Sequence, residues 1–270
     1  LYDYLSSLEP CQNIIDFEYH AFSINAIRIP DIPQSHSRAT LWLAHLNGLV
    51  SSMTWYWHRR FGPAPAPNDR YKMWFYGSIS TQPLLVAEYF HTLLKMNMFS
   101  EEVETLASPS RRPIRIFVSN SSYIQNQAHI NALHRVYEGV CFHGQPIGFV
   151  TEDSLGANGL PDDCEILLLP DVEYISPTVL SKLEQSVDKG LQLIRFGELS
   201  PGYNAHGAPL PSEATAFLAD TPAIGYAAAK DLSRQLDSYT SLISSRNHIK
   251  VEVLGEYGAF GVMHRIAQTE

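Results

Sequence analysis

Long apolar runs are missing from this sequence. None approaches the roughly 18 residues a helix needs to cross a bilayer, so no membrane partner is expected. Basic clusters are missing too: the short basic pairs are Arg59-Arg60 and Arg111-Arg112, and the formal charge is −9. A phosphate-tracking protein carries a basic face, so no nucleic-acid partner is expected either. Cysteine is scarce, with three residues at Cys11, Cys141 and Cys164, no CxxC pair and no neighbouring histidine cluster. Neither a disulfide framework nor a metal site is expected from them, and they read as buried free thiols. Charged-region and apolar-core features of a signal peptide are absent from the start, which is Leu1 within a helix-like segment, and a cut N-terminus is expected.

What the chain has is a capacity for core. Hydrophobic residues make up 45% of 270 and charged residues 17%, enough for one large domain or two ordinary ones. Residues 12–18 read as a strand ending in acid. Residues 38–49 read as a helix with a Gly48 stop, and residues 50–57 as a second strand rich in β-branched and aromatic side chains. A proline loop over residues 62–67 excludes regular structure, and residues 82–106 return to helix with Leu85, Tyr89, Leu93 and Met96 on one face. A short polar, proline-bearing link at residues 108–113 is the expected domain boundary.

Beyond the link, short apolar strands at residues 114–119, 146–151, 165–169 and 191–196 alternate with helices at 125–142 and 176–188. Such alternation calls for a parallel sheet covered on both faces. Ser176-Pro177 fits a helix start, and Lys189-Gly190 fits a helix stop. A further helix is expected over residues 226–244, then two antiparallel strands at 248–254 and 260–266 that would open a β-rich domain.

Two strand ends concentrate residues that do chemistry. In Asp16-Phe17-Glu18-Tyr19-His20, strict alternation puts Asp16, Glu18 and His20 on one face and Ile15, Phe17 and Tyr19 on the other. Buried acids are costly unless they face a cavity or each other; the bland reading is an edge strand with a wetted polar face. In Thr54-Trp55-Tyr56-Trp57-His58-Arg59, Trp55, Trp57 and Arg59 share a face. Two tryptophans fill a core as readily as they floor a sugar site. Taken together, two successive βα-type strands ending in functional residues suit a (β/α)8 barrel, where site residues lie at the carboxyl ends of the strands.

These segments resemble the end of the catalytic barrel in glycoside hydrolase family 42 beta-galactosidases. Asp16-Phe17-Glu18-Tyr19-His20 looks like the seventh-strand nucleophile segment. Leu41-Trp42-Leu43-Ala44-His45-Leu46-Asn47-Gly48 with Thr54-Trp55-Tyr56-Trp57 resembles the eighth-strand region. Gly77-Ser78-Ile79-Ser80-Thr81-Gln82-Pro83, then Arg112-Pro113-Ile114-Arg115-Ile116, is similar to the exit from the barrel. The resemblance implies an α/β chain: barrel end over residues 1–107, a flavodoxin-like, amidotransferase-like trimerisation domain over 113–222, and the start of a β-sandwich over 223–270. It implies a retaining hydrolase of beta-galactosides or related beta-glycosides, a carbohydrate substrate and a homo-oligomer, with no cofactor. Glu18 would be the nucleophile, Trp55 and Trp57 would line the sugar subsite, and His20 and Arg59 would bind sugar hydroxyls or hold Glu18 ionised. The acid/base carboxyl, about 5–5.5 Å from the nucleophile in a retaining enzyme, would come from a strand outside this chain, so the piece alone is expected to be inactive.

Three rival readings compete. Ser119-Asn120-Ser121-Ser122-Tyr123 follows a strand where a phosphate-binding loop would sit. Yet no GxGxxG accompanies it, so flavin or nucleotide binding is not expected. An amidotransferase would need a cysteine on the turn after a strand, whereas the third strand of this sheet runs into Pro170-Asp171 and Cys164 precedes it. The third rival is a non-catalytic carbohydrate-binding or assembly protein derived from a glycosidase.

Overall fold

The computed structural model describes residues 1–8, 12–19, 34–54, 83–107, 111–141 and 145–225, with residues 235, 236 and 238 beyond them. The proline loop and the two strands expected after residue 247 lie outside the described residues, as does nearly all of the helix expected over 226–244. The chain is α/β and divides into two units, Leu1–Ser108 and Pro109–Glu270.

In the first unit, α1 (Tyr2–Leu8) precedes β1 (Ile14–Tyr19), α2 (Gln34–Leu46) and β2 (Leu49–Thr54), followed by α3 (Pro83–Met98) and α4 (Ser100–Ala107). β1 and β2 pair in parallel, from Ile14 beside Leu49 to Tyr19 beside Thr54. Parallel neighbours need a crossover, and α2 lies in it. Tyr19, Leu41, Ala44, Leu49, Leu85, Tyr89 and Met96 close one core between the strands and the helices. The turn between α2 and β2 places Gly48 at a φ of 103°, a conformation that suits glycine. The single helix expected over residues 82–106 is two. The Phe99 carbonyl accepts the Val103 N–H at 2.9 Å, and α4 restarts with Glu101 and Glu102 in its first turn, where acids complement the helix dipole.

The second unit holds β3 (Ile114–Val118), α5 (Asn120–Gln125), α6 (Gln127–Val140), β4 (Ile147–Thr151), α7 (Glu152–Asn158) and β5 (Ile166–Pro170). They are followed by α8 (Pro177–Asp188), β6 (Gln192–Phe196), α9 (Ser212–Thr215), a 3-10 turn (Ala216–Asp220) and β7 (Ala223–Ile224). The sheet runs β4-β3-β5-β6-β7, parallel throughout. Counted within the sheet, that order is 2-1-3-4-5, a common arrangement in doubly wound α/β sheets. Every residue of β3 and β5 is buried, which explains their apolar sequences; the exception, Arg115 in β3, is paired with Asp163 at 2.7 Å.

The segment expected as a loop, Ser119–Tyr123, is instead the start of α5. Ser119 caps it by accepting the Ser122 N–H, and Asn126 caps α6 by accepting the Ala128 N–H at 2.9 Å. Two caps in close succession punctuate what composition alone presents as a polar link. Pro177 opens α8, although the Ser176 side chain makes no capping bond.

Candidate functional site

At the carboxyl ends of β1 and β2, Glu18 is exposed. The path of β1 departs from strict alternation. Asp16 pairs with Ser52 and Tyr19 with Thr54, so β1 spends two residues, Phe17 and Glu18, where β2 spends one. An extra residue of this kind breaks the ladder locally and re-aims a side chain, a device frequent at barrel rims and beside active sites. It corrects the expected faces. Asp16 does not share a face with Glu18; it lies on the helix side with Ile14 and the buried Tyr19, and accepts the Tyr2 hydroxyl at 2.5 Å. Ile15, Phe17 and Met53 face the opposite way and are 49%, 65% and 59% exposed.

Asp16 also accepts the Glu18 backbone N–H at 2.9 Å. Beside it, the Thr54 hydroxyl and the Tyr89 hydroxyl lie 2.8 Å apart, tying the end of β2 to α3. Of the expected site residues, Glu18 is described; His20, Trp55, Trp57 and Arg59 lie outside the described residues.

The second unit carries a buried polar cluster at the carboxyl ends of its strands, which the sequence reading missed. Glu152, 4% exposed, begins α7 directly after β4. Its carboxylate accepts the Ser121 N–H at 2.9 Å, the Ser121 hydroxyl at 3.0 Å, the Ser119 hydroxyl at 3.1 Å and the Ser176 N–H at 2.5 Å. The Ser119 hydroxyl and the Ser121 N–H and hydroxyl, donors a phosphate would use there, are therefore engaged by a carboxylate of the protein itself, while the Ser122 N–H and hydroxyl donate to the Ser119 hydroxyl and the Tyr174 carbonyl. The available signal was an acid placed directly after an apolar strand and behind Thr151, whose capping box with Ser154 marks the helix start.

His129 is fully buried next to this cluster. Its Nε2 accepts the Ser119 N–H at 3.1 Å, which leaves Nδ1 as the donor to the Pro170 carbonyl at 2.7 Å. Burial, the largest influence, holds the imidazole below the usual histidine range and therefore neutral, against a smaller upward pull from the Pro170 carbonyl and the charges of Asp171 and Glu152.

The turn after β5 is backbone-strained. Asp171 has a φ of 41°, the one non-glycine positive φ among the described residues. Its Oδ1 accepts the N–H groups of Glu198 and Leu199, both at 2.9 Å, and so joins the ends of β5 and β6. A carboxylate occupies the position where an amidotransferase would need a thiol. Cys164 precedes β5, at the other end of the sheet, and burial pushes its thiol up to about 12, the opposite of what a nucleophilic cysteine needs. No cluster of three metal-ligating side chains occurs among the described residues, and no helix there is long and apolar enough to cross a membrane.

No family model matches this chain, and no curated protein matches it. Solved structures do. The apo exo-carrageenase GH42 from Bacteroides ovatus superposes with a TM-score of 0.63 at 22% identity, covering 89% of this chain and 31% of its own. The cold-adapted beta-galactosidase from Rahnella sp. R3 gives 0.57 at 12% identity over 78% of this chain and 31% of its own. The beta-galactosidase from Bacillus circulans sp. alkalophilus gives 0.54 at 12% identity over 77% and 31%. This chain thus spans about a third of the length of these structures and has the fold of part of a GH42 glycoside hydrolase.

Proposed function

We propose that this chain supplies the last two βα units of a (β/α)8 catalytic barrel and the flavodoxin-like domain that follows them in sequence, in a retaining hydrolase of beta-galactosides or related beta-glycosides. The observation that carries the reading is the position of Glu18. It is an exposed carboxylate on an irregularity at the carboxyl ends of two parallel strands, in a fold shared with glycoside hydrolases. Barrel enzymes draw their reacting groups from that end.

In this reading the Glu18 carboxylate attacks the anomeric carbon as the aglycone leaves, forming a glycosyl-enzyme that water then hydrolyses. Trp55 and Trp57 offer flat apolar surface to the C–H face of the sugar, and His20 and Arg59 bind its hydroxyls or hold Glu18 ionised. The acid/base carboxyl comes from a strand not contained in these 270 residues. The 2-1-3-4-5 sheet order supports a flavodoxin-like second domain, which we assign to assembly, as a trimerisation domain. Its phosphate position is filled by Glu152 and its strained turn carries Asp171, so it serves packing and not catalysis.

The test is Glu18→Gln in the full-length protein, assayed on aryl β-galactosides and related β-glycosides. Loss of turnover is expected, together with loss of covalent labelling at this position by a 2-deoxy-2-fluoro glycoside. An unchanged rate removes Glu18 from the mechanism and favours a non-catalytic carbohydrate-binding or assembly role. The 270-residue chain alone is expected to turn over nothing, because general acid assistance, worth roughly 10²–10⁴-fold, is missing.

A further inference from the structure

The extra residue in β1 leaves a backbone N–H without a ladder partner, because the register passes from Asp16–Ser52 to Tyr19–Thr54 around it. The Asp16 carboxylate takes up that role by accepting the Glu18 N–H at 2.9 Å. Its other oxygen accepts the Tyr2 hydroxyl at 2.5 Å. Tyr2 in turn comes from α1 and packs against the core cluster of Tyr19, Leu41 and Tyr89. A continuous path therefore runs from the packed helices, through a phenol and a carboxylate, to the backbone of Glu18. Asp16 itself lies on the helix side of β1.

We propose that Asp16 is a positioning residue for Glu18: held by Tyr2, it fixes the irregularity of β1 and so aims the Glu18 carboxylate. The proposal rests on the reading of Glu18 as nucleophile. It assigns a structural cause to the direction of that side chain, because alternation alone would turn Glu18 to the same face as Asp16. Burial first, and then the adjacent Asp16, raise the Tyr2 phenol, so it remains a donor throughout the range in which glycosidases work. Misplacement of a reacting group by about 1 Å costs on the order of 10²-fold in rate, so the acceptor at residue 16 is expected to act on kcat.

The experiment compares Asp16→Ala, Asp16→Asn, Tyr2→Phe and Glu18→Gln in the full-length protein on a panel of aryl β-glycosides. Labelling by a 2-deoxy-2-fluoro glycoside is followed in parallel, and thermal melting checks folding. Asp16→Ala is expected to lower kcat and the labelling rate by about 10²-fold with KM little changed. Asp16→Asn is expected to rescue most of that loss, since its amide oxygen still accepts the Glu18 N–H. Wild-type kcat in Asp16→Ala, or an equal loss in Ala and Asn, overturns the positioning role. Should Asp16→Ala fail to fold, Tyr2→Phe decides: a several-fold loss in kcat at constant KM supports the proposal, and wild-type kcat overturns it. Wild-type turnover in Glu18→Gln, or none in the wild type, instead overturns the reading beneath it, whatever Asp16 does.

Discussion

Ser176 donates its backbone N–H to the Glu152 carboxylate at 2.5 Å, which links the residue before α8 to the first residue of α7. Three further donors, from Ser119 and Ser121, converge on the same carboxylate. Hydrogen bonds to a charged group contribute about 1.5–3 kcal/mol each, and orphaned buried donors cost about 1–3 kcal/mol. Glu152→Ala is therefore expected to destabilise the second unit by at least about 3 kcal/mol. Glu152→Gln is expected to cost less but still more than about 1 kcal/mol, because its amide nitrogen must face a donor. Urea unfolding of the three proteins checks both, and an Ala variant within about 0.5 kcal/mol of wild type would show the network to be idle.

Asp171 combines a positive φ with two backbone partners across the sheet edge, so its substitutions separate the two contributions. Asparagine tolerates the left-handed region and keeps an oxygen for the Glu198 and Leu199 N–H groups. Asp171→Asn is expected to lie within about 1 kcal/mol of wild type, since it keeps both acceptor contacts and loses their charge assistance. Asp171→Gly relaxes the backbone but orphans both donors, a cost of about 1–3 kcal/mol for a buried donor. Asp171→Val suffers both losses and should be the least stable. A melting series in which Val equals Asn would contradict this order.

His129 gives the second unit a pH dependence of known sign. Its folded-state pKa lies below the ordinary 6.5, so the unfolded chain binds the proton more readily. The contribution is complete above about pH 6.5 and is lost as pH falls through the window beneath it. Stability is expected to drop more steeply between pH 7.5 and 5.5 in the wild type than in His129→Gln, measured as denaturation midpoints at each pH. Parallel slopes for the two proteins would show that the imidazole is not held neutral.

The second unit was largely legible because β3 and β5 are buried on both faces, and such burial leaves an apolar run, interrupted in β3 by the ion-paired Arg115. Glu152 was not legible: its solvation comes from Ser119, Ser121 and Ser176, which are distant in sequence and meet only at the sheet edge. Glu18 stood out as an acid at a strand end, but its direction did not. One inserted residue reverses the parity of everything after it, and nothing in the Ile14–Tyr19 pattern marks where the insertion falls. β7, two residues long, offers too little pattern to be read at all.

Gly148 permits a close approach that another residue would block. A Cβ there would lie 3.0 Å from the Arg112 Cδ and 3.2 Å from the Arg115 Nη1. Arg115 is buried and paired with Asp163 at 2.7 Å, and Asp163 also accepts the Arg112 N–H at 2.6 Å. Gly148→Ala is expected to cost about 1–3 kcal/mol, the range for overpacking a filled interior, although alanine favours extended backbone at least as well as glycine. Thermal melting reads the result, and an unchanged or raised midpoint would mean that the two arginine side chains yield without loss.

Phe17 separates a barrel from a free-standing scaffold. In this chain it is 65% exposed, on the face of β1 turned away from the helices, so Phe17→Ala should change stability by no more than about 0.5 kcal/mol, as exposed substitutions do. If β1 and β2 belong to a closed barrel, that face becomes its packed interior. The same substitution in the full-length protein should then cost about 3–5 kcal/mol, the range for emptying a buried phenylalanine site. Unfolding both proteins with and without the substitution gives the comparison directly. A cost that stays below about 1 kcal/mol in the full-length protein would place Phe17 on an outer surface and remove the barrel.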